Sequence, residues 1–136
     1  SKVANIAGVK EASSDITKIT RIRNKCGDNF PIWSGNDDQI VPVMALGGQG
    51  VISVLSNIFP TETIAICKAA EENDFVTAGS LQCQLQPTID ALFSEVNPIP
   101  VKAAMKEIGF DCGGYRLPLC DISHENLLKL KTVLNK

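Results

Sequence analysis

The chain has 136 residues, with 13 basic and 15 acidic side chains and a formal net charge of −2 at pH 7. This near-neutral balance argues against nucleic acid or an anionic membrane as the main partner, because both select for a basic face. With 44% hydrophobic and 21% charged residues, the composition is that of a folded globular protein rather than a disordered chain. The length suits one domain or a piece of a larger protein.

Signals for a membrane, for secretion and for a metal are weak. No run approaches the roughly 18 apolar residues of a membrane span, and no basic-then-apolar signal segment opens the chain, so we expect a cytoplasmic protein. Five cysteines without a C-x-x-C pair favour free thiols in a reducing compartment, and we expect neither a metal nor a cofactor. The one histidine, His124, is expected at an exposed position in the first turn of a helix.

Three short apolar runs predict β-strands, since each is followed by a turn signal and then by a helical pattern. One helix in each interval is the signature of right-handed βαβ units in a parallel sheet. The runs are apolar on both faces, as buried parallel strands are. They cover residues 4–9, 30–34 and 50–55.

Helices are expected between and after these strands. Ser13 and Ser14 are cap candidates for the first. Asn36, Asp37 and Asp38 are cap candidates for the second, where the paired carboxylates are more typical of capping than of acid–base chemistry. From about residue 75 the strand signal ends and only helical patterns remain, with a loop over 111–121. The predicted helices end near residues 27, 46, 73, 93, 109 and 134.

Functional groups in parallel α/β folds gather beyond the carboxyl ends of the strands, which here predicts Lys10, residues 35–37 and residues 56–57. Lys10 follows the apolar run 6–9, so its amine would lie at the rim of a desolvated pocket that favours the neutral, nucleophilic form. Schiff-base chemistry requires such a lysine. The alternative is an ordinary solvated charge at the end of a strand.

Five segments stand in order along the chain: NIAGVKEAS at 5–13, WSGNDDQ at 33–39, LGGQGVISVLSN at 46–57, NPIPVKAAMKEIGF at 97–110 and YRLPL at 115–119. Together they resemble the dihydrodipicolinate synthase family, the pyruvate-dependent class I aldolases that include N-acetylneuraminate lyase. The first three are similar to its Schiff-base strand and its seventh and eighth strands, and the others to its C-terminal extension. SGNDD and GVISV are closer to the synthases than to the sialic acid lyases.

The resemblance implies an α/β fold: the C-terminal half of a TIM (β/α)8 barrel, with three parallel strands and their helices over 1–74 and a helical extension over 75–136. It implies that Lys10 forms the imine with pyruvate, that the backbone of Ile52 lies against bound pyruvate, and that Gly35 forms part of the pocket floor. From the residues themselves, Ile52 could equally be a core side chain of its strand.

The resemblance also implies a lyase that condenses pyruvate with aspartate semialdehyde in the biosynthesis of lysine and diaminopimelate, commonly as a homo-oligomer. The family's proton-relay tyrosine, its partner threonines and its substrate arginine belong to the N-terminal half, and Tyr115 falls in the extension. We therefore expect the chain by itself to be inactive as a synthase.

Three alternatives stay open. The chain could be a non-catalytic half-barrel that associates with itself through strand edges and an apolar face. It could derive from a related aldolase, such as N-acetylneuraminate lyase or a 2-keto-3-deoxy sugar acid aldolase. A small independent α/β binding module is the third, and a count of only three strands weakens it.

Overall fold

A computed structural model describes residues 2–134. In this part of the chain two strands and a set of helices follow one another, with short 3-10 turns at Asp37–Gln39 and Leu55–Asn57. The strands are β1 (Val9–Glu11) and β2 (Ile32–Ser34), and the helices are α1 (Thr17–Cys26), α2 (Ile40–Ala45), α3 (Pro60–Glu71), α4 (Phe75–Leu92), α5 (Ile99–Glu107) and α6 (His124–Leu134).

The sheet has a parallel β1–β2 pair, with Lys10 opposite Trp33, which confirms the predicted parallel arrangement. The third predicted strand, 50–55, is wrong as a strand, because it is reduced to one parallel bridge between Ser34 and Val51. Two backbone hydrogen bonds of 2.8 Å flank this bridge, from Ser34 N to Gly50 O and from Ile52 N to Ser34 O. Beyond Ile52 the chain turns into the 3-10 turn at 55–57, so the ladder cannot continue.

The first strand is also shorter and later than its apolar run suggests. The run covers residues 4–9, whereas β1 spans Val9–Glu11 and residues 3–6 form a turn. Val9 N donates to the carbonyl of Pro31 at 2.9 Å, and Pro31 has no amide hydrogen with which to extend the pairing backwards. Lys10 therefore lies inside its strand and not after it, which corrects the prediction.

The helices match the predicted order, and the stretch 111–121 is free of helix and strand, as expected. The N-terminal end of α1 differs: Asp15, not Ser13 or Ser14, accepts the hydrogen bond from Thr17 N at 3.0 Å. Gly47, with a φ of +84°, follows the end of α2 in the left-handed region that glycine favours.

In the described part of the chain, three hydrophobic clusters hold these elements. A cluster of three alanines, Ala69, Ala70 and Ala78, joins α3 and α4. Of the other two, the smaller joins α1, β2 and α2 through Ile19, Ile32 and Val43. The larger lies among α4, α5 and α6 and also takes in Leu55 and Ile58 from the segment after the bridge; its buried members are Leu55, Ile58, Ile89, Ala91, Leu92, Val101, Ala104 and Leu130. Segment 52–58 thus connects the sheet to the helices. None of the helices between residues 2 and 134 is both long and apolar enough to cross a bilayer.

Candidate active site

Lys10 and Ile52 line one open cavity of about 420 Å³ between the sheet and α5. The structure therefore brings together two of the three residues that the sequence singled out, although 41 positions separate them along the chain. The remaining lining comes from the segment after Val51, from the start of α5 and from the loop beyond it: Ser53, Val54, Asn57, Asn97, Pro98, Val101, Lys102, Met105, Phe110 and Cys112.

The surroundings of Lys10 are more open than expected. Its side chain is exposed, so the predicted desolvation of the amine is wrong for the part of the chain that the structure describes. What the geometry does provide is a primary amine on a short rigid strand, facing a cavity with apolar and polar walls.

Gly35 lies directly behind the stem of Lys10. A Cβ atom placed on Gly35 would come within 2.8 Å of Lys10 Cε and 2.4 Å of Ala12 Cβ, distances that no real side chain accommodates without movement. The Gly35 amide donates to the carbonyl of Glu11 at 2.7 Å. A residue without a side chain is thus what lets the lysine pass so close to the neighbouring backbone.

Ile52 stands at the edge of the cavity with its side chain 48% exposed. The alternative of a buried core side chain therefore does not hold within residues 2–134. Its amide is bound to Ser34 O at 2.8 Å, which ties this wall of the cavity to the end of β2.

Asp37, next to the site, is a residue whose role sequence reasoning misinterpreted. Its side chain is fully buried, and its Oδ2 accepts hydrogen bonds from Val54 N and Leu55 N, both at 3.0 Å. It therefore caps the 3-10 turn that begins at Leu55, and the predicted capping of its own helix is wrong. Asp38, its neighbour in sequence, is exposed. Sequence spacing cannot reveal a partner that the fold brings in from 17 residues away.

Lys102 holds the loop that forms the outer wall of the cavity. Its Nζ donates to Gly114 O and lies 5.2 Å from the ring centroid of Tyr115. The Tyr115 hydroxyl donates to Ile99 O at 3.0 Å, and burial raises the pKa of this phenol. Tyr115 lines a different cavity, with Lys106 and Asp111 among others.

The thiols are free: Cys26, Cys67, Cys83, Cys112 and Cys120 form no disulfide. Cys112 lines the Lys10 cavity, and burial raises the pKa of the Cys67 thiol. Within residues 2–134 no three His, Cys, Asp or Glu side chains are grouped so that they could hold a metal ion. Asp121 and His124 do not form such a group.

Comparison with known proteins gives a consistent result. The model of the dihydrodipicolinate synthetase family matches residues 1–136. A 4-hydroxy-tetrahydrodipicolinate synthase of Thermoanaerobacter sp. (strain X514) is 49% identical over 134 residues, which are 98% of this chain and 45% of that protein. The enzyme of the same name from Clostridium perfringens (strain 13 / Type A) is 46% identical over 127 residues, 93% of this chain and 44% of that protein.

Solved structures agree with these relatives. Dihydrodipicolinate synthase from Aquifex aeolicus is 40% identical with a TM-score of 0.93, over 96% of this chain and 45% of that one. The chloride-inhibited synthase from Acinetobacter baumannii, complexed with pyruvate, is 32% identical with a TM-score of 0.92, over 98% of this chain and 46% of that one. The chain spans slightly less than half the length of the relatives it matches.

Proposed function

Because the chain belongs to the dihydrodipicolinate synthetase family, we propose that it carries the imine-forming lysine of a lyase that condenses pyruvate with aspartate semialdehyde in lysine biosynthesis. The observation that carries the proposal is the cavity shared by Lys10 and Ile52, with Gly35 directly behind the lysine stem. An amine that faces an open cavity can reach a keto group held there, and amines of this kind form Schiff bases with carbonyl substrates.

In the proposed reaction the Lys10 amine attacks the keto carbon of pyruvate, and loss of water leaves an imine. The imine draws electrons from the adjacent methyl group, so that a proton leaves and an enamine forms. The enamine carbon adds to the aldehyde of aspartate semialdehyde, which restores the imine on Lys10. The amino group of the added substrate then attacks the imine carbon, so that the ring closes and the Lys10 amine is released. Gly35 lets Lys10 lie flat against the sheet, and the fixed backbone at Ile52 offers a wall for the small keto acid.

We further propose that this chain by itself forms the imine without completing the synthase reaction. Tyr115, its one tyrosine, donates its hydroxyl to Ile99 O and lines another cavity, so it is not placed to relay protons at Lys10. Positioned acid–base groups are worth about 10²–10⁴ in rate. The matched relatives are about twice as long, which leaves room for such groups elsewhere in a full-length protein.

The experiment is to incubate the chain with pyruvate, reduce with borohydride and map the adduct by peptide mass spectrometry. We expect one adduct, on Lys10. Lys10→Arg keeps the charge but cannot form the imine, so it should lose the adduct, whereas Lys18→Arg on α1 is the matched control. Lys102 lines the same cavity and serves as an internal reference, because indiscriminate labelling would mark it as well.

Each other outcome has a defined meaning. Equal labelling of Lys10 and Lys102 would contradict a selective site. An adduct that appears only when the rest of a family-length protein is supplied would place the chemistry in the complete barrel. No adduct in either case would overturn the assignment of Lys10. Trapping with pyruvate is common to the related aldolases, so the aldehyde accepted by a complete protein decides between the synthase and a sugar acid aldolase.

A second candidate is self-association, favoured by apolar side chains at the open cavity. Ile52 is 48% and Phe110 59% exposed, and Val51 pairs with Ser34 through one bridge only. A short strand edge beside exposed apolar surface favours pairing with another chain. Light scattering should then show a homo-oligomer whose average mass rises with protein concentration. In Phe110→Ser the average mass at the same concentration should be lower. A compact monomer at high concentration would contradict this candidate.

A further inference from the structure

Asp37 is a buried carboxylate with half of its hydrogen-bonding capacity unused. Its side chain is 0% exposed, and among residues 2–134 its Oδ1 has no hydrogen-bond partner. Burying a carboxylate is costly unless hydrogen bonds offset the lost hydration. Oδ2 accepts two hydrogen bonds, from Val54 N and Leu55 N, both at 3.0 Å, and these bonds offset part of that cost.

These two amides lie at the end of a segment that the sheet holds only at its first residue, Ile52. The last sheet hydrogen bond of this segment is from Ile52 N to Ser34 O, and the ladder stops there. Leu55 is fully buried in the larger hydrophobic cluster. Between these points, Ile52, Ser53 and Val54 form a wall of the Lys10 cavity, and the Asp37 carboxylate provides the polar anchor at its far end.

The stretch of chain that carries Asp37 also contacts Lys10. Asp37 follows Gly35 by two residues, and the Gly35 amide is bound to Glu11 O, next to Lys10 in β1. Lys10 Cε lies against Gly35. Ser34, buried at the end of β2, stabilises the same stretch, since its hydroxyl donates to Asn36 O at 2.7 Å. One short stretch, residues 34–37, therefore contacts both the lysine and the wall of the cavity formed by residues 52–54.

We infer that Asp37 is a positioning residue that fixes the Ile52–Leu55 segment at a set distance from Lys10. This role rests on the proposed function only in so far as the cavity binds a keto acid. Asp37 touches neither the cavity nor a substrate in this arrangement, and acts through the backbone of Val54. Asp38 is the same type of residue and directly follows Asp37 in the chain, but it is exposed. This makes Asp38 a matched control.

The test begins with amide hydrogen exchange of the 136-residue chain, followed residue by residue by ¹H–¹⁵N NMR. Asp37→Ala removes the oxygen that accepts both hydrogen bonds, so the Val54 and Leu55 amides should exchange about 10- to 100-fold faster. Asp38→Ala should leave both rates within about twofold. Asp37→Asn keeps an oxygen that can accept both bonds, and should restore most of the protection.

The second readout is the pyruvate dependence of borohydride trapping at Lys10. A misplaced wall weakens binding of the keto acid without removing the amine, so Asp37→Ala should raise the pyruvate concentration for half-maximal trapping about tenfold. The limiting rate at saturating pyruvate should change much less, and Asp37→Asn should recover the wild-type concentration dependence. A merely structural role would lower the amount of folded protein and leave that concentration unchanged.

The two readouts separate the inference from the proposed function. Unchanged exchange at Val54 and Leu55 in Asp37→Ala overturns the inference, whatever Lys10 does. Faster exchange with an unaltered pyruvate dependence also overturns it, since the segment would then be irrelevant to the cavity. If Lys10 is trapped neither in this chain nor in a family-length protein, the proposed function fails, and the exchange rates alone decide whether Asp37 fixes the segment. Should Asp37→Ala not fold, Asp37→Ser against Asp38→Ser gives the same comparison, because the shorter serine side chain keeps a polar group in the buried position but cannot reach both amides.

Discussion

The sheet region, residues 9–53, and the helical region, residues 55–134, are held together in different ways. Three buried residues form the hydrophobic cluster of the sheet region, whereas the helical region holds one cluster of eight buried residues and another of three. The sheet region depends more on single polar links and close fits. Arg23, for example, donates to the carbonyls of Asp28, Phe30 and Leu46. The proposed chemistry thus lies where packing is thin, beside a better-packed helical support.

The largest effect is expected from opening a cavity in the helical cluster. Leu92 is 1% exposed, so Leu92→Ala removes buried methyl groups that the surroundings cannot replace, at a cost of about 2–5 kcal/mol in unfolding free energy. Denaturant unfolding followed by circular dichroism measures it. Leu117, which is 93% exposed, is the control, and Leu117→Ala should change stability by less than about 0.5 kcal/mol.

The comparison would break if Ile19→Ala, in the smaller cluster, unfolded the whole chain as readily as Leu92→Ala does. We expect the Ile19 substitution to act locally instead. Amide exchange should then rise in α1 and β2, while α4 to α6 keep most of their protection, because regions with few buried apolar contacts open at lower free energy.

A substitution of intermediate effect compares one glycine from each region. In Gly35→Ala the new Cβ would meet Ala12 Cβ at 2.4 Å and Lys10 Cε at 2.8 Å, an overpacking that costs about 1–3 kcal/mol. Because Lys10 must move, its trapping by pyruvate should slow as well. Borohydride trapping and thermal unfolding measure the two effects together.

Gly79 in α4 is the matched control, since no atom other than those of its chain neighbours and of the adjacent backbone of its own helix lies within 4 Å of a Cβ placed there. Gly79→Ala should therefore stabilise the chain by about 0.5–1 kcal/mol, the helix preference of alanine over glycine. If Gly35→Ala raised the unfolding free energy as much as Gly79→Ala does, the close approach of Gly35 to Lys10 would not restrict the residue at position 35.

Local patterns in the sequence were enough to predict the helices. In α3 to α6 the helical spacing of apolar residues lies within one short stretch of chain for each helix. The order and bounds of these helices therefore follow from propensity and turn signals. The bounds of a strand, in contrast, depend on the strand with which it pairs. The run 50–55 has the composition of a strand, yet only Val51 pairs, because the chain leaves β2 as soon as Val54 and Leu55 bind Asp37.

The candidate site divides in the same way. Lys10, Gly35 and Ile52 could be named because short motifs around them resemble a known family. The place of Lys10 inside β1 could not be predicted, because the bounds of a strand depend on the strand it pairs with. Its exposure could not be predicted either, because exposure depends on what covers the cavity. Asp37 was predicted as a local cap because capping usually acts within three residues, and its actual partners 17 and 18 positions away depend on tertiary structure.

The smallest effect concerns a polar link in the helical region, and it depends on pH. Glu95 Oε1 accepts hydrogen bonds from Ser123 N, Ser123 Oγ and Asn126 Nδ2 at 3.0, 2.6 and 2.8 Å, and these bonds, chiefly those from the Ser123 hydroxyl and Asn126, lower the pKa of the carboxyl below its ordinary 4.5. A lowered folded-state pKa gives stability that is present above the unfolded pKa and is lost as the pH falls through the folded one. Glu95→Gln should therefore have a lower melting temperature than the wild type at pH 7, by a smaller margin than Leu92→Ala, and this difference should disappear as the pH falls below about 4.5.

The exposed Glu72 supplies the control variant, Glu72→Gln. If the difference in melting temperature between Glu95→Gln and the wild type stays constant across this pH range, the hydrogen bonds of Glu95 with Ser123 and Asn126 do not depend on its charge.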